Sequence, residues 1–152
     1  MRVMESRNGA DMIDKETLIK RALEMVPNAY APYSRFHVGA AILCESGNIY
    51  TGANMENAAF PCGICAESNA VSTAISRGER KIVAIAVAGG RNGKITDYCA
   101  PCGVCRQTLR EFCDPKQLTV LLAKSTEDYR EMTLDDLLPM SFGSDSLEEA
   151  EA

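Results

Sequence analysis

The chain lacks the sequence features of membrane-spanning and nucleic-acid-binding proteins. No apolar run reaches the ~18 residues that a membrane helix requires. Lys and Arg form no cluster, and the net charge of −5 argues against a polyanion partner, because affinity for nucleic acid comes largely from basic side chains on phosphates. Residues 1–14 are polar and contain no apolar signal segment. We therefore expect a cytoplasmic protein with neither a membrane nor a nucleic-acid polymer as its partner.

The sequence also lacks an internal repeat and a linker that would separate two domains. Its 152 residues fit one domain, since domains commonly contain ~100–150 residues. A hydrophobic content of 46% and a charged content of 24% are typical of globular proteins. We expect a single domain over residues 13–143, with a flexible arm before it at 1–12 and an acidic tail after it at 144–152.

Apolar patterns along the chain predict alternating helices and strands. Asp14 can cap a first helix that Pro27 ends. A continuous apolar run at 82–88 predicts a strand that is covered on both faces. The order favours an α/β sandwich with helices on both sides of a mixed sheet. The predicted strands are 36–43, 49–53, 82–88 and 118–123, and the later helices are 63–77, 102–112 and 133–138.

Cysteine, in contrast, is abundant, with seven in the chain. Four of them form two Cys-x-x-Cys pairs, Cys62 with Cys65 and Cys102 with Cys105, and each pair meets the predicted start of a helix. In a reduced compartment such pairs are typical of metal or redox sites rather than structural disulfides. Because helix N-termini stabilise thiolates, two such ends facing each other could hold Zn²⁺.

Three kinds of site fit these cysteine pairs. All four thiols could close a structural zinc site, or the pairs could exchange disulfides. A catalytic zinc site instead needs three protein ligands, an open position and a nearby base. Glu67, two residues after Cys65, favours the catalytic site, because a structural site has no use for that carboxylate.

The segment Cys65-Ala66-Glu67, together with Pro101-Cys102-Gly103-Val104-Cys105, resembles the signature of zinc-dependent nucleoside deaminases. Four further segments resemble the small, homotetrameric cytidine deaminases and occur in the same order, at 30–41, 52–58, 105–112 and 137–143. The resemblance covers residues 14–147. It implies a three-layer α-β-α sandwich with a mixed five-stranded sheet.

The resemblance also implies a role for each residue of the signature. One Zn²⁺ per subunit would be bound by Cys65, Cys102 and Cys105, leaving Cys62 and Cys99 without a ligand role. Zinc would lower the pKa of a bound water molecule. Glu67 would take a proton from this water, deliver it to N3 of the pyrimidine, and later carry one to the departing amine.

Four residues resemble the family's substrate contacts. Asn54 and Glu56 correspond to the pair that binds the ribose 3′-hydroxyl, Phe36 to the aromatic on the base, and the Ala66 N–H to a donor for the base carbonyl. Without the resemblance, Asn54 is equally typical of a turn and Phe36 of an ordinary core. Side chains two residues apart on an extended segment point the same way, so Asn54 and Glu56 could share a ligand.

In this family, neighbouring subunits complete each site. Ala58 and Phe60 match positions that reach the 5′ side of the sugar in an adjacent site, and Phe142 matches one that covers it. Tyr is common where Phe60 stands here. Arg usually follows the catalytic Glu, where this chain has Ser68. Because Ser68 carries no charge to offset the zinc thiolates, we expect altered metal electrostatics.

The expected activity is hydrolytic deamination of cytidine and 2′-deoxycytidine to uridine and 2′-deoxyuridine in pyrimidine salvage. Two rivals stay open at this point. One is a deaminase of a cytosine-nucleoside antibiotic of the blasticidin S type, which Glu56 disfavours because it suits a sugar hydroxyl. The other is a structural four-cysteine zinc module without catalytic activity.

Overall fold

A computed structural model describes residues 13–148. The predicted arm at 1–12 and the tail residues 149–152 lie outside the described part of the chain. The described residues form four helices and five strands, together with short 3₁₀ turns at Val26–Asn28, Phe60–Cys62 and Ser144–Ser146. In chain order the elements are α1 (Lys15–Met25), β1 (Phe36–Cys44), β2 (Ile49–Ala53), α2 (Ala66–Ser76), β3 (Ile82–Arg91), α3 (Gly103–Glu111), β4 (Thr119–Ala123), β5 (Tyr129–Thr133) and α4 (Leu134–Leu137).

The five strands form one mixed sheet in the order β2-β1-β3-β4-β5. Strand β3 pairs antiparallel with β1 and parallel with β4, and the two outer pairs are antiparallel. The parallel pair requires a crossover, which α3 provides. This sheet confirms the mixed five-stranded architecture that the resemblance implied.

Helices cover both faces of the sheet, which confirms the three-layer sandwich. Helix α1 packs on one face, against alternate residues of the central strands that include Ala41, Ala84 and Leu121. Helices α2 and α3 pack on the opposite face, against residues that include Ile42, Ile85 and Val120. Successive side chains of a strand point to opposite faces of the sheet. Since helices cover both faces here, both sets of side chains are apolar, and the sequence of β3 is a continuous apolar run.

Among the strands, the structure differs most from the prediction in β3 and β5. Strand β3 continues to Arg91, past the predicted end at residue 88, because Gly89 and Gly90 still pair with β1. Strand β5 was not predicted by the pattern. Its residues Tyr129–Thr133 are half-buried or exposed at the edge of the sheet, so they do not show an apolar run.

Helix α2 lies directly on strand β2 at Gly52. A Cβ atom on Gly52 would stand 2.5 Å from the carbonyl oxygen of Ala66 and 2.5 Å from the backbone nitrogen of Ala70. Beside this contact, the Asn69 side chain donates a hydrogen bond to the carbonyl of Ala53, with an N···O distance of 3.0 Å. The backbone of β2 therefore fixes the position of the N-terminal half of α2.

We predict that Gly52→Ala destabilises the protein by ~1–3 kcal/mol, because the added methyl group meets backbone atoms that cannot rotate away. Thermal unfolding measures this change. The matched control is Gly103→Ala, since a Cβ at Gly103 meets nothing within 4 Å. Equal unfolding midpoints for the two variants would contradict the close approach of α2 to β2.

Candidate active site and metal centre

The N-terminus of α2 carries the first half of the cysteine signature. Cys65 is the N-cap residue in extended conformation, Ala66 is the first helical residue, and Glu67 lies in the first turn. The preceding residue Ile64 exchanges two backbone hydrogen bonds with Met55, which hold the chain extended up to the helix. The predicted helix 63–77 therefore starts three residues later than expected. The N–H groups of its first turn have no intrahelical acceptor.

The N-terminus of α3 carries the second half. Cys102 is the N-cap residue, and Cys105 lies buried in the first turn. Helices α2 and α3 contact each other on the same face of the sheet. Both N-termini thus bring the positive ends of their helix dipoles to one group of thiols.

The thiols of Cys65, Cys102 and Cys105 lie within 4.8 Å of one another. The Sγ–Sγ distance is 3.8 Å between Cys65 and Cys102 and 3.5 Å between Cys102 and Cys105. Tetrahedral zinc with Zn–S bonds of ~2.3 Å separates two sulfurs by about 3.8 Å. The spacing and the soft donor atoms therefore fit a zinc ion bound by these three cysteines.

Cys62 is not part of this group. It is exposed on the 3₁₀ turn Phe60–Cys62, and within residues 13–148 the cysteines close enough to share a metal are the three named above. Cys99 is half-buried, and burial raises the pKa of its thiol to about 12, with Glu67 and Cys65 nearby adding to the effect. The arrangement favours three protein ligands with an open position over a closed four-cysteine site.

Glu67 lies beside the thiols and is 4% exposed. Its Oε2 accepts a hydrogen bond from the Cys105 thiol at 3.0 Å. Burial raises the pKa of the Glu67 carboxyl, while the hydrogen bond from Cys105 acts in the opposite direction. A carboxyl group with a raised pKa suits a role in which it accepts a proton in one step and gives it up in another.

The three thiols differ in how readily they ionise. Burial raises the pKa of Cys65 and of Cys105. Burial also acts to raise the pKa of Cys102, but hydrogen bonds from the backbone of Cys105 and Val104 and from the neighbouring thiols outweigh it and leave the pKa below its ordinary value. Since zinc binds the thiolate form, binding releases protons and removes the cost of burying these charges.

Asn54 and Glu56 both bind main-chain groups next to the predicted site. The Asn54 side chain accepts a hydrogen bond from the N–H of Val38 and donates one to the carbonyl of Phe36, each at 2.8 Å. It thus bonds to β1 in the way that the backbone of a neighbouring strand would. Glu56 accepts hydrogen bonds from the backbone N–H of Ser34 at 3.1 Å and from the Ser34 hydroxyl. Both side chains thus position the turn and strand that carry Phe36.

A cavity of about 400 Å³ opens next to Glu56. The Tyr33 and Phe60 rings meet edge to face in its wall, with centroids 5.7 Å apart. No role was predicted for Tyr33 or Ser34, although both fall in the matched segment 30–41. The signal is weak, because Ser34 lies 22 residues before the carboxylate that it binds. The lining residues are Tyr33, Ser34, Glu56, Asn57, Phe60 and Gly63.

The remaining predicted contact residues differ in how far they are exposed to solvent. Ala66 is fully buried at the start of α2, and Phe36 is 41% exposed at the start of β1. Ala58, Phe60 and Phe142, predicted to serve neighbouring subunits, are all exposed in the single chain. The structure therefore places Ala66 with the thiols and leaves the three residues predicted for neighbouring sites on the surface.

Side chains of α3 hold the segment that carries Phe142. Gln107 donates to the carbonyl of Phe142 at 2.9 Å. Arg110, with a side chain only 11% exposed, donates to Ser141 and forms an ion pair with Asp145, each at 2.8 Å. The first residues of the acidic tail are thus fixed to the same helix that carries Cys105.

Residues 12–121 match the family model described as the cytidine and deoxycytidylate deaminase zinc-binding region. A cytidine deaminase of Halalkalibacterium halodurans is 41% identical over 135 residues, which are 89% of this chain and 98% of that protein. The chain belongs to the cytidine and deoxycytidylate deaminase family. This membership identifies it as a zinc-dependent hydrolytic deaminase, and the three clustered thiols fit its zinc site.

Solved deaminase structures share the fold. The crystal structure of cytidine deaminase from Burkholderia pseudomallei has a TM-score of 0.76 and 39% identity, covering 86% of this chain and all of that one. Cytidine deaminase from Mycobacterium tuberculosis has a TM-score of 0.73 and 37% identity, covering 86% of this chain and 98% of that one. Over residues 13–148 of this deaminase, none of the helices combines the length and apolarity needed to cross a membrane.

We predict that Cys65→Ser lowers the zinc content to well below one equivalent, while Cys62→Ser retains zinc at the wild-type level. Cys65 lies in the thiol group and Cys62 does not. Metal analysis of the purified variants after dialysis against a weak chelator measures this difference. Equal zinc loss from both variants would favour the closed four-cysteine site instead.

Proposed function

We propose that this chain catalyses the hydrolytic deamination of cytidine and 2′-deoxycytidine to uridine and 2′-deoxyuridine. The observation that carries the proposal is the placement of the buried Glu67 carboxyl within 3.0 Å of one of three clustered thiols. Thiolate ligands and an adjacent carboxyl are what a zinc-dependent nucleoside deaminase requires. The similarity to cytidine deaminases over most of the chain supports the choice of cytosine nucleosides.

The proposed binding mode uses groups on both sides of the thiols. Phe36 packs against the pyrimidine ring, and the N–H of Ala66 donates to the base carbonyl from the first turn of α2. Asn54 and Glu56 hydrogen-bond the 3′-hydroxyl of the sugar. This binding mode makes no contact with the 2′-hydroxyl, so the ribose and deoxyribose forms are both accepted. The cavity beside Glu56, lined also by Tyr33 and Phe60, has room for the sugar.

Glu67 carries the protons of the proposed reaction. Cys65, Cys102 and Cys105 would hold the zinc ion, which would supply a Lewis acid that lowers the pKa of a water molecule. Glu67 accepts a proton from this water and delivers it to N3 of the pyrimidine, while the water oxygen bonds to C4. Glu67 then moves the second water proton to the amino group. The bond between C4 and the amino nitrogen breaks, and ammonia leaves. Nucleoside and water thus yield the uracil nucleoside and ammonia.

We further propose that the active enzyme is a homotetramer whose subunits share their sites, acting in the cytoplasm in pyrimidine salvage. Three large apolar side chains support an assembly, because Phe60, Phe142 and Met140 are 74%, 58% and 101% exposed in the single chain. Ala58 and Phe60 would reach the 5′ side of a neighbouring sugar, and Phe142 would cover it.

We predict that the wild-type protein deaminates cytidine and deoxycytidine and that Glu67→Gln lowers kcat by roughly 10²–10⁴-fold, the range that general acid–base catalysis contributes. The absorbance change on conversion of cytidine to uridine measures the rate. Zinc content provides the control, because Glu67 is not a proposed ligand and its amide variant should keep the metal. Wild-type protein that contains zinc but leaves both nucleosides unchanged would refute the proposed activity.

We predict a solution mass four times the chain mass of 16.5 kDa, measured by light scattering after size exclusion.

Phe142→Ala should raise KM for cytidine about tenfold or more and leave the zinc content unchanged, because this side chain covers a neighbouring site. The exposed Leu147→Ala serves as the matched control for loss of a surface apolar group. A monomer with full activity would contradict the shared site.

A further inference from the structure

The zinc centre of this chain collects a large amount of negative charge. Three thiolates around Zn²⁺ leave a net charge of −1, and the Glu67 carboxyl lies 3.0 Å from Cys105 Sγ. Cys105 is fully buried, so water does not solvate its sulfur. Buried charge is costly unless hydrogen bonds or opposite charges compensate it, so the donors that reach this sulfur affect how firmly the metal is held.

No cation supplies this compensation among the side-chain contacts of residues 13–148. Arg106 follows Cys105 directly, but its Nε donates to the carbonyl of Pro101 and its Nη1 to the carbonyl of Leu137, each at 2.7 Å. Arg110, one turn further along α3, is bound to Ser141 and Asp145. Both arginines are therefore committed to groups other than the sulfurs.

The hydroxyl of Ser68 does reach the sulfur. Its Oγ lies 3.4 Å from Cys105 Sγ, within hydrogen-bond distance for a sulfur acceptor. Ser68 follows Glu67 in the first turn of α2, so it approaches Cys105 from the opposite helix. When Cys105 binds zinc, its sulfur has lost its proton and can only accept, so the Ser68 hydroxyl must be the donor.

We propose that Ser68 is a positioning residue of the zinc centre, whose hydroxyl donates a hydrogen bond to the Cys105 thiolate and so strengthens zinc binding. The inference rests on the zinc site of the proposed function. The hydrogen bond links the first turns of α2 and α3, stabilises the thiolate charge and orients the sulfur toward the metal. Partners of metal ligands commonly affect metal affinity by ~10–100-fold.

The test compares three serine variants of the full chain by competition for zinc with a chromogenic chelator. Ser68→Ala removes the donor and should weaken zinc binding by about tenfold or more. Ser68→Thr keeps the hydroxyl and should restore most of the affinity. The matched control is Ser72→Ala, one turn along α2, where the hydroxyl bonds to the carbonyl of Ser68 and not to sulfur. That variant should bind zinc as the wild type does.

A spectroscopic measurement separates a hydrogen bond from a general loosening of the helix. In the Co²⁺-substituted protein, loss of a donor to sulfur should shift the thiolate-to-cobalt charge-transfer band in Ser68→Ala but not in Ser68→Thr or Ser72→Ala. Zinc affinity within twofold of wild type and an unshifted band in Ser68→Ala would overturn the inference, even if the enzyme deaminates cytidine. Equal weakening in Ser72→Ala would also overturn it. Wild-type protein that binds no zinc would instead refute the zinc site itself.

Discussion

The convergence of two helix N-termini on one group of thiols is the constraint on which the rest of this structure depends. Cys65 and Cys102 are N-cap residues of different helices, yet their sulfurs lie 3.8 Å apart. Like-charged thiolates at this distance repel each other, and helix dipoles together with a divalent cation are what make the arrangement stable. The sheet beneath must therefore hold α2 and α3 side by side, with β2 pressed against α2 at Gly52.

The same pair of helix N-termini positions Glu67, the proposed proton carrier. Glu67 follows the N-cap cysteine by two residues, and its burial raises the pKa of the carboxyl toward the range useful for proton transfer. Its neighbour Ser68 turns toward Cys105 at 3.4 Å. One helical turn thus supplies a proposed metal ligand, the proposed proton carrier and the proposed hydrogen-bond donor to a ligand on the facing helix.

The substrate side of the site is organised by main-chain contacts. Segment 54–56 bonds to Tyr30 on one side and to Ile64 on the other, so it lies between the turn before β1 and the chain leading into α2. The Asn54 amide binds the backbone of β1, and Glu56 binds the turn at Ser34. In this arrangement the proposed sugar contacts also fix the strand that presents Phe36.

The amino-acid sequence by itself determined the α/β class and most element positions, because apolar periodicity is a local property. The Cys-x-x-Cys and Cys-Ala-Glu spacings left three kinds of site open, and the resemblance to a known family implied the chemistry of the centre. The resemblance implied that Cys62 is not a ligand, and the tertiary structure places it outside the group of three thiols. Only the tertiary structure located β5 at the sheet edge and brought Ser68 to Cys105. These outcomes depend on distances between elements far apart in the chain. Spacing along the chain determines which residues are available, whereas packing of α2 and α3 on the sheet determines which sulfurs meet.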